Sequence, residues 1–485
     1  MSSDFMLETA TELAKLVRNR SVSSRELLQQ AIARYEAFNP LVNAVIEKQI
    51  DQAMQRSFVL DEMTAQGDFT GPFHGLPITI KEAYDWIGTA STWGNPEWKA
   101  NFPSVNSPSV ERLMSAGAVI WAKTNVPFML GDWQSFNEIY GCTNNPWDLT
   151  RTPGGSSGGS AVSLATGMSA LEIGSDIGAS IRNPAHYCGV FGHKPTMGLI
   201  PQTGHMAPGV LTETDIAVMG PLARSAIDLG SALDVLSGPD GWDAAGYSLS
   251  LPVEGKDTIA DYKVGVLLES PACATSFAMV EHLEETCEQL AQLGVEVVRT
   301  APQIDQSEFF ENYLLLLRAA NGVSLSDEAF DKAEQGHLNW LNGDRSYRNL
   351  VDHGAHMTHR EWFALHQQRE KYRHAWAAFF EDFDLLLCPA AASTAFVHDH
   401  EGDRTTRTIE VNGKQEPVVD QLFWAGWSCS VYLPSTVAPA GLLDGLPVGL
   451  QIIAPHLGDK KSIHFASLLE KEFGGFIPPP GFETI

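Results

Sequence analysis

The chain has 485 residues, 44% hydrophobic and 19% charged, and its 32 Lys and Arg against 59 Asp and Glu leave a formal net charge of −27. This composition is typical of an ordered globular protein that buries a large core. A field of that sign repels phosphate backbones and anionic membranes, so nucleic-acid and membrane-surface roles are disfavoured. Adaptation to a saline habitat is a second explanation of the acidity.

The chain has six scattered cysteines, Cys142, Cys188, Cys273, Cys287, Cys388 and Cys429. None forms a C-x-x-C pair, which argues against a zinc knuckle and against a disulfide framework. The sequence opens without a basic segment followed by an apolar stretch, and no run of about 18 apolar residues occurs. We therefore expect a cytoplasmic protein without membrane spans.

The first part of the chain is predicted to be helical. Residues 7–50 carry apolar side chains at helical spacing. Ser23-Ser24-Arg25-Glu26 fits the S-x-x-E capping box that opens a second helix. We expect the N-terminal helices, over about residues 7–60, to pack on the outside of the molecule.

Residues 75–198 show a different pattern, in which short apolar strands are separated by Gly and Pro. Strands are predicted at residues 119–122 and 171–174, with a helix at 109–117. Alternation of strands and helices predicts an α/β fold with a central mixed, largely parallel β-sheet covered by helices on both faces.

The second half of the chain continues this alternation. Strands are predicted at residues 262–267, 295–298, 383–389 and 448–453, and helices at 359–383 and about 461–473. Asn412-Gly413 predicts a hairpin turn within residues 408–415. Because strands occur early and late and no repeat or long linker divides them, we predict a single domain over residues 1–485.

A glycine-serine run at residues 154–160 has several interpretations. It could be a flexible linker, a phosphate-binding loop, or a nucleophile elbow, since Gly154-Gly155-Ser156-Ser157-Gly158 matches the G-x-S-x-G of serine esterases. A P-loop needs Lys-Ser/Thr after its last glycine, and an elbow needs an apolar strand before it. This chain lacks the Lys-Ser/Thr pair of a P-loop. The residues before the run, 145–153, contain two prolines and no apolar strand, so we expect a tight turn leading into a helix.

Ser180 has a context that suits a nucleophile better. It follows the predicted strand at residues 171–174 and a short turn, and a helix is predicted to begin at Ser180 itself. The backbone N–H groups of Ile177, Gly178, Ala179 and Ser180 would then be free at a helix N-terminus. Such donors, fixed before reaction, suit a developing oxyanion. The alternative is that Ser180 is a simple N-cap.

Lys81 ends the apolar run Leu76-Pro77-Ile78-Thr79-Ile80. Burial of an unpaired lysine lowers its pKa and favours the neutral amine, which can act as a general base. The alternative is that Lys81 reaches solvent or pairs with Glu82 or Asp85. A lysine and two serines, with no clear Ser-His-Asp set, point to acyl transfer on an amide or a related carbonyl compound.

These segments closely resemble the amidase signature family, in the same order and over nearly the whole chain. The resemblance rests on Gly75-Leu76-Pro77-Ile78-Thr79-Ile80-Lys81, the glycine-serine run, residues 176–182 and Gly445-Leu446-Pro447-Val448-Gly449-Leu450-Gln451. Lys123-Thr124-Asn125, Asn145-Pro146-Trp147 and His193-Lys194-Pro195-Thr196 also agree. The resemblance implies the amidase signature fold.

The resemblance also implies roles for individual residues. Ser180 corresponds to the acyl-forming nucleophile, Ser156 to a bridging serine preceded by a cis peptide bond, and Lys81 to the base. The backbone N–H groups of residues 177–180 correspond to the oxyanion hole, and Leu130 to a position where relatives contact substrate.

The chain departs from the family pattern at two positions. Ala179 stands where a second glycine is usual before the nucleophile, and Glu82 stands where Asp is common after the lysine. The methyl group of Ala179 leaves the N–H donor in place but narrows the acyl site. Neither change removes a catalytic group.

The expected function is hydrolysis of a small carboxylic amide, or of an aryl amide, ester or carbamate, to an acid plus an amine or ammonia. No cofactor, metal or nucleic-acid partner is expected, and a homodimer is left open. Three alternatives remain: the glutaminase-type catalytic subunit of a tRNA-dependent amidotransferase, a G-x-S-x-G serine esterase, and a non-catalytic binding protein on an amidase scaffold.

Two groups of residues have weaker signals. Histidines at spacings that metal sites can use are His353, His356 and His359 on a predicted helix, and His398 and His400 beside Asp399. Lacking a matched carboxylate, they are expected on a solvated face. Aromatic residues expected either in the substrate pocket or in the core are Trp133, Phe136, Tyr140, Trp424 and Trp427.

Overall fold

The computed structural model describes residues 4–253 and 255–485. Over these residues the chain forms fourteen α-helices, α1 (Ala10–Arg18), α2 (Ser24–Val42), α3 (Ile50–Gln66), α4 (Pro108–Ser115), α5 (Gly158–Ala165), α6 (Arg182–Cys188), α7 (Ala226–Leu236), α8 (Phe277–Gln292), α9 (Gln306–Gly322), α10 (Asp327–Leu341), α11 (Tyr347–His356), α12 (His359–Asp382), α13 (Leu422–Cys429) and α14 (Asp459–Phe473). Within those two ranges, none of the helices combines the length and the apolar character that a bilayer span requires.

The same residues form fifteen β-strands, β1 (Val45–Lys48), β2 (Pro77–Lys81), β3 (Val119–Thr124), β4 (Phe136–Asn137), β5 (Gly141–Cys142), β6 (Glu172–Asp176), β7 (Phe191–Lys194), β8 (Val218–Ala223), β9 (Lys263–Val266), β10 (Glu296–Arg299), β11 (Leu385–Pro389), β12 (Thr408–Val411), β13 (Lys414–Pro417), β14 (Ser435–Leu443) and β15 (Leu446–Ile453). The strands predicted near residues 119, 171, 262, 295, 383 and 448 are confirmed as β3, β6, β9, β10, β11 and β15.

Eight strands form the central sheet, in the order β10-β9-β11-β15-β14-β7-β8-β6. The sheet is mixed, as predicted, but only the two pairs β10–β9 and β9–β11 are parallel, and the other five neighbouring pairs are antiparallel. The expected predominance of parallel pairs is therefore wrong. Hydrophobic patterns locate strands without giving their directions, and here a two-residue turn at Asp444-Gly445, both at positive φ, makes β14 and β15 an antiparallel hairpin.

A second sheet of three strands, in the order β1-β3-β2, carries Lys81 at the end of β2. Strand β2 runs parallel to β3, and β1 runs antiparallel to it. The prediction of helix throughout residues 7–50 is wrong for β1, Val45–Lys48. Four residues are too few to show a period, so their pairing with β3 decides their conformation.

The N-terminal helices are joined to the rest of the fold by defined polar contacts. Ser23 Oγ accepts the N–H of Glu26 at 3.1 Å, and the Ser23 N–H donates to the Glu26 carboxylate at 2.8 Å, which confirms the predicted capping box. The first turn of α1 donates two backbone N–H groups, from Ala10 and Thr11, to Asp228 of α7 at 2.8 Å each. The acidic side chain of α7 thereby caps α1.

The predicted hairpin at Asn412-Gly413 is also confirmed. It joins β12 to β13, which pair antiparallel, and both turn residues have positive φ, 54° and 75°. Asn-Gly suits this turn because both residues tolerate the left-handed conformation at low steric cost.

Candidate active site

Lys81 lies at the buried end of β2 with its side chain surrounded by hydroxyl groups. Its Nζ donates hydrogen bonds to Ser156 Oγ at 2.7 Å and to Ser157 Oγ and Ser175 Oγ at 2.9 Å each. The Lys81 side chain has no exposed surface. The prediction that Lys81 meets Ser156 is therefore supported by a direct contact, and the alternative that it reaches solvent does not hold.

The electrostatic surroundings of Lys81 favour the neutral amine. Burial lowers the pKa of Lys81 to about 7, against the opposing effects of Asp176, Glu172 and Glu82. Burial also raises the pKa of Glu172 to about 8, so this neighbouring carboxyl of β6 carries little charge at pH 7. Among the described residues no carboxylate forms an ion pair with Lys81. An amine in this state can accept a proton near neutral pH.

Ser156 lies in the glycine-serine run, which forms a tight turn ahead of α5, as predicted. The peptide bond between Gly155 and Ser156 is cis, as the family resemblance implies. A Cβ on Gly155 would lie 2.3 Å from Asp132 O, so only glycine fits there. Ser135 Oγ holds both ends of the turn, donating to Gly154 O at 3.0 Å and accepting the Gly158 N–H at 3.1 Å.

The structural context of Ser156 differs from that of a nucleophile elbow. The residues before Gly154 are a loop and not a strand, since β5 ends at Cys142. An elbow exposes its serine between a strand and a helix, whereas Ser156 is only 1% exposed and contacts Lys81. The G-x-S-x-G esterase interpretation therefore has no support in the local fold.

Ser180 lies in the turn that follows β6, close to Ser156. The Ser157 N–H donates to Ser180 O at 3.1 Å, so the two serine-bearing segments are joined directly. Ser180 is 5% exposed, and it lines a cavity of about 90 Å³. Among the described residues no hydrogen bond joins Ser180 Oγ to Ser156 Oγ. Ser180 is thus the serine of the site that a bound molecule would meet.

The turn from residue 177 to residue 180 offers three backbone donors rather than four. The Ala179 N–H is bound to Asp176 Oδ1 at 2.9 Å, while those of Ile177, Gly178 and Ser180 have no acceptor among the described residues. Ala179 has a φ of 66°, in the left-handed region where glycine is favoured, which accounts for glycine being usual at this position. The expected helix start is also wrong by two residues, because α6 begins at Arg182.

A buried ion pair fixes this turn at its base. Arg182 donates to Asp176 through Nη2 at 2.9 Å and through Nε at 3.0 Å, and both side chains are buried. Burial alone would raise the pKa of Asp176, but the Arg182 guanidinium lowers it to about 2. The ionised carboxylate therefore orders the backbone at Ala179 and Ile181, whose N–H groups it accepts.

Two aromatic side chains orient the peptide groups of the turn. Tyr313 Oη donates to Ile177 O at 3.0 Å, and Trp133 Nε1 donates to Gly178 O at 2.7 Å. In a trans peptide the N–H points opposite to the carbonyl oxygen. Tyr313 therefore directs the Gly178 N–H away from itself and leaves that donor free.

The cavity beside Ser180 is bounded by apolar and polar side chains. Its apolar lining consists of Leu130, Trp133, Ile177, Leu317, Val418, Val419 and Leu422, and its polar lining includes Asp132, Arg318, Asn321, Tyr347 and Arg404. Leu130 thus lies where the resemblance places a substrate contact. A larger cavity of about 230 Å³, between α8, β14 and the end of the chain, contains none of the predicted site residues.

Five aromatic residues were predicted to lie either in the substrate pocket or in the core, and one of them lines the cavity. Trp133 does so, whereas Trp424 and Trp427 are fully buried and pack with Phe423 in a separate cluster. Phe136 stacks on His400 at 4.0 Å between ring centroids and does not line the cavity. Tyr140 also lies outside the cavity lining.

Three histidines close in sequence to the motif segments make their contacts elsewhere. His193 Nε2 lies 3.1 Å from Asp459 Oδ1, and His186 Nε2 lies 3.1 Å from Ser393 O. His74 contacts Thr64 and Thr70. In the parts of the chain that the structure describes, no histidine contacts Ser156 or Ser180, so the geometry offers no Ser-His pair.

The expectation of a solvated face is wrong for His353, His398 and His400, whereas His359 is exposed as expected. His353 is buried and stacks on His337 and Trp340. His398 and His400 are half-buried beside Cys142. Spacing along the chain could not show these neighbours, which come from other elements.

Among the residues that contact the site, Ser175 and Tyr313 were not predicted from the sequence. Ser175 gave a weak signal, because it is a polar residue in the buried strand β6. Side chains alternate between the two faces of a strand, so that of Ser175 lies on the face opposite to Gly174. Tyr313 offered no signal, because it is 136 residues from its partner Ile177 and lies on a helix with an ordinary apolar pattern.

A family model for amidases matches residues 26–462 of this chain. The chain is 30% identical over 480 residues to an indoleacetamide hydrolase of Bradyrhizobium diazoefficiens, covering 96% of this chain and 86% of that protein. It is 28% identical over 496 residues to a glutamyl-tRNA(Gln) amidotransferase subunit of Caldanaerobacter subterraneus subsp. tengcongensis, covering 96% of each.

Among solved structures, a bacterial aryl acylamidase of the amidase signature family superposes with a TM-score of 0.81 at 23% identity, covering 97% of each chain. At that identity the likeness shows the fold. The chain belongs to the amidase signature family of amide-hydrolysing enzymes. The resemblance that the sequence motifs suggested is confirmed.

Proposed function

We propose that this protein hydrolyses a small carboxylic amide to an acid plus an amine or ammonia through an acyl-enzyme on Ser180. The observation that carries the proposal is the 2.7 Å contact of Lys81 Nζ with Ser156 Oγ, beside a nucleophile that lines a cavity. The pKa of Lys81, lowered by burial to about 7, supports its role as the base.

In the acylation step Ser180 Oγ attacks the carbonyl carbon of the amide. Its proton passes to Ser156 Oγ, while the Ser156 proton passes to the neutral amine of Lys81. This transfer requires the two serine hydroxyls to come within hydrogen-bonding distance when substrate binds. The negative charge that develops on the carbonyl oxygen is stabilised by the free N–H groups of Ile177, Gly178 and Ser180.

Collapse of the tetrahedral intermediate breaks the carbon–nitrogen bond. The departing nitrogen takes a proton from Ser156, which recovers one from Lys81, so the base ends this half-reaction neutral. A water molecule then attacks the acyl-enzyme, gives its proton to the same relay, and releases the acid and Ser180. We propose that no metal or organic cofactor takes part, since every proton has a side-chain carrier.

The test is covalent labelling with a fluorophosphonate, followed by mapping of the labelled peptide. We expect the label on Ser180 and none in the Ser180→Ala variant, and hydrolysis of at least one compound in a panel of aliphatic, aryl, peptide and carbamate substrates. A fully folded protein that is neither labelled nor active would support the binding-protein alternative. Labelling of Ser156 instead would reassign the nucleophile.

A second candidate is the glutaminase-type subunit of a tRNA-dependent amidotransferase. It is favoured by the 28% identity to a glutamyl-tRNA(Gln) amidotransferase subunit over 96% of both chains. The net charge of −27 argues against a complex that must approach tRNA. Purification of the native protein distinguishes the two, since the second candidate requires co-purifying partner subunits and glutaminase activity that depends on them.

A further inference from the structure

Two arginine side chains meet in the cavity that Ser180 lines. Arg318 comes from the last turns of α9, and Arg404 from the segment before β12. Arg318 donates to Tyr347 Oη, and Arg404 donates to Gly131 O. Both contacts are to neutral oxygens.

Neither guanidinium has a carboxylate partner among the described residues. The nearest cavity carboxylate, that of Asp132, is bound by Arg407. The Nε of Arg318 is buried and makes no hydrogen bond. Arg318 is half-buried and Arg404 is exposed, and both guanidinium groups border the same cavity, so two like charges face one site.

Two cations that border one small cavity favour an anion there. The chain carries 59 acidic residues against 32 basic ones, yet no acidic residue pairs with these two arginines in the described parts of the chain. A guanidinium offers five donors in a planar fork that fits a carboxylate, and charge-assisted hydrogen bonds of this kind are the strong ones. A bound carboxylate would pair with the two guanidinium groups and reduce the repulsion between them.

Resting on the proposed function, we propose that the substrate is an amide that also carries a carboxylate, which Arg318 and Arg404 bind while the scissile carbonyl lies at Ser180. The chain between the two groups would be short and apolar. The cavity is only about 90 Å³, and Leu317 and Leu422 belong to its apolar lining.

The experiment measures how fast a fluorophosphonate labels Ser180 in the presence of competing amides. The probes are the monoamides of succinic, glutaric and adipic acid and the methyl esters of the same compounds, which lack the charge. We expect at least one free acid to slow labelling on the order of tenfold or more relative to its ester. Arg318→Gln and Arg404→Gln should abolish that difference.

Arg360→Gln, at an exposed position of α12, is the matched control and should keep the difference. Equal protection by acid and ester at every chain length in the wild-type protein would overturn the carboxylate inference, while labelling of Ser180 itself would leave the amidase proposal standing. Absence of any labelling of the wild-type protein would instead overturn the amidase proposal, so the two failures are distinct.

Away from the cavity, one cysteine and two histidines lie close together. Cys142 Sγ in β5 lies 3.8 Å from His398 Nδ1 and 3.7 Å from His400 Nε2, and the three ligand atoms lie within 4.8 Å of one another. A tetrahedral Zn²⁺ with bonds of about 2.0–2.3 Å places sulfur and nitrogen ligands roughly 3.6 Å apart. The two sulfur–nitrogen distances therefore need only a few tenths of an ångström of closure.

The surroundings of these three residues hold them in position. Gln134 binds the backbone between the histidines twice, donating to Asp399 O at 2.6 Å and accepting the Asp399 N–H at 2.8 Å. Phe136 stacks on the His400 ring. Fixed supports of this kind orient metal ligands. The geometry points to a site for Zn²⁺ or a similar thiolate- and imidazole-preferring ion, which ties the β4–β5 hairpin to residues 398–400.

Cobalt(II) tests this inference because a cobalt thiolate has its own charge-transfer absorption. One equivalent added to the reduced full-length protein should produce that band, and Zn²⁺ should displace it. Cys142→Ser should abolish the band and Cys273→Ser, at a buried thiol that contacts no histidine among the described residues, should keep it. The proposed metal site would be wrong if the wild-type protein did not give the band, or if Cys142→Ser still gave it. His400→Gln serves as a second variant if Cys142→Ser does not fold.

Discussion

Lys81 is the residue whose chemistry depends most on its surroundings. In water its amine would be charged at pH 7, with a pKa of 10.5. Burial removes the hydration that stabilises the ammonium. Of the acidic residues around it, Glu172 is largely neutral at pH 7, and Asp176 is paired with Arg182. The three hydroxyls around Nζ can accept hydrogen bonds from either protonation state. The site therefore holds the lysine near the midpoint of its titration.

The first prediction concerns pH. A base must be deprotonated, so the rate should rise with pH through the pKa of Lys81, about 7, and level off above it. Lys81→Ala should lose on the order of three decades of kcat and flatten that rise. Initial rates across pH 5 to about 10 provide the measurement. The reference pKa of histidine is close to this value, so the position of the rise alone does not distinguish a lysine base from a histidine base.

The control for that prediction is a set of histidine variants measured over the same pH range. His74, His186 and His193 each contact groups other than the serines. Their replacement should leave the shape of the profile unchanged. The lysine assignment fails if one of these variants is inactive while Lys81→Ala keeps its rate.

The second prediction concerns the nucleophile. Ser180→Ala should lower kcat by roughly four or more orders of magnitude, because the members of a coupled catalytic unit act together. The free energy of unfolding should change by less than about 1 kcal/mol, since Ser180 Oγ makes no hydrogen bond to a described residue. Rates and urea denaturation of the same preparation test both parts. Retention of more than a few per cent of the activity would contradict the assignment.

At the scale of the elements, the turn between β6 and α6 holds Ser180 and the free backbone donors. A strand that ends in Asp176 and a helix that begins with Arg182 place both partners of an ion pair at the ends of one short loop. The pair closes the loop around Ala179, and Trp133 and Tyr313 occupy its outward carbonyls. The remaining N–H groups are left for a ligand because the loop's other polar groups are satisfied.

The third prediction tests the orientation of this loop. Tyr313→Phe removes the donor to Ile177 O and should lower kcat by about tenfold, with little change in KM, because the Gly178 N–H loses its fixed direction. Steady-state kinetics on one substrate measure the two constants separately. Tyr372→Phe, in the core cluster with Trp376, is the control and should keep kcat. An equal loss in both variants would show that Tyr313 acts only through stability.

The fourth prediction concerns the ion pair under the loop. Asp176→Asn leaves the Arg182 charge buried without a carboxylate and should destabilise the protein by about 3–5 kcal/mol. Asp148→Asn, in a half-exposed pair with Arg151, should cost less than about 1 kcal/mol. The midpoints and slopes of urea unfolding give both values. Similar losses in the two variants would contradict the importance of burial.

At the scale of the whole molecule, the site is assembled from both sheets. Lys81 belongs to the three-stranded sheet, and Ser180 follows the edge strand of the eight-stranded one. Thr79 Oγ1 donates to the Glu172 carboxyl at 2.6 Å, which joins β2 to β6 directly. The position of Lys81, the proposed base, relative to Ser180, the proposed nucleophile, therefore depends on how the two sheets pack.

The fifth prediction concerns chelators. Among the described residues the one cluster with metal-ligand spacing is Cys142, His398 and His400, and none of these lines the cavity at Ser180. Removal of metal ions should therefore leave kcat unchanged within about twofold, even where it lowers thermal stability. Rates before and after dialysis against a chelator check this. Activity that is lost on chelation and restored by one added metal would contradict the lysine-serine mechanism.

The sequence by itself determined the family and the positions of most elements, and it predicted a catalytic triad. Glycine, proline and hydrophobic spacing act locally, so the capping box at Ser23 and the hairpin at Asn412-Gly413 could be predicted from adjacent residues. The motifs around Lys81, Ser156 and Ser180 carried the resemblance, and the structure brings Lys81 and Ser156 into contact.

Tertiary structure alone decided the rest, because those features depend on residues far apart in the chain. Strand directions follow from the paths of the connections, so the mostly antiparallel sheet could not be inferred from alternation. The Ala179 N–H is taken by Asp176, the Arg318 and Arg404 side chains meet in the cavity, and Cys142 lies beside His398 only in the folded chain. Such contacts arise from packing between elements, and no local period or motif encodes them.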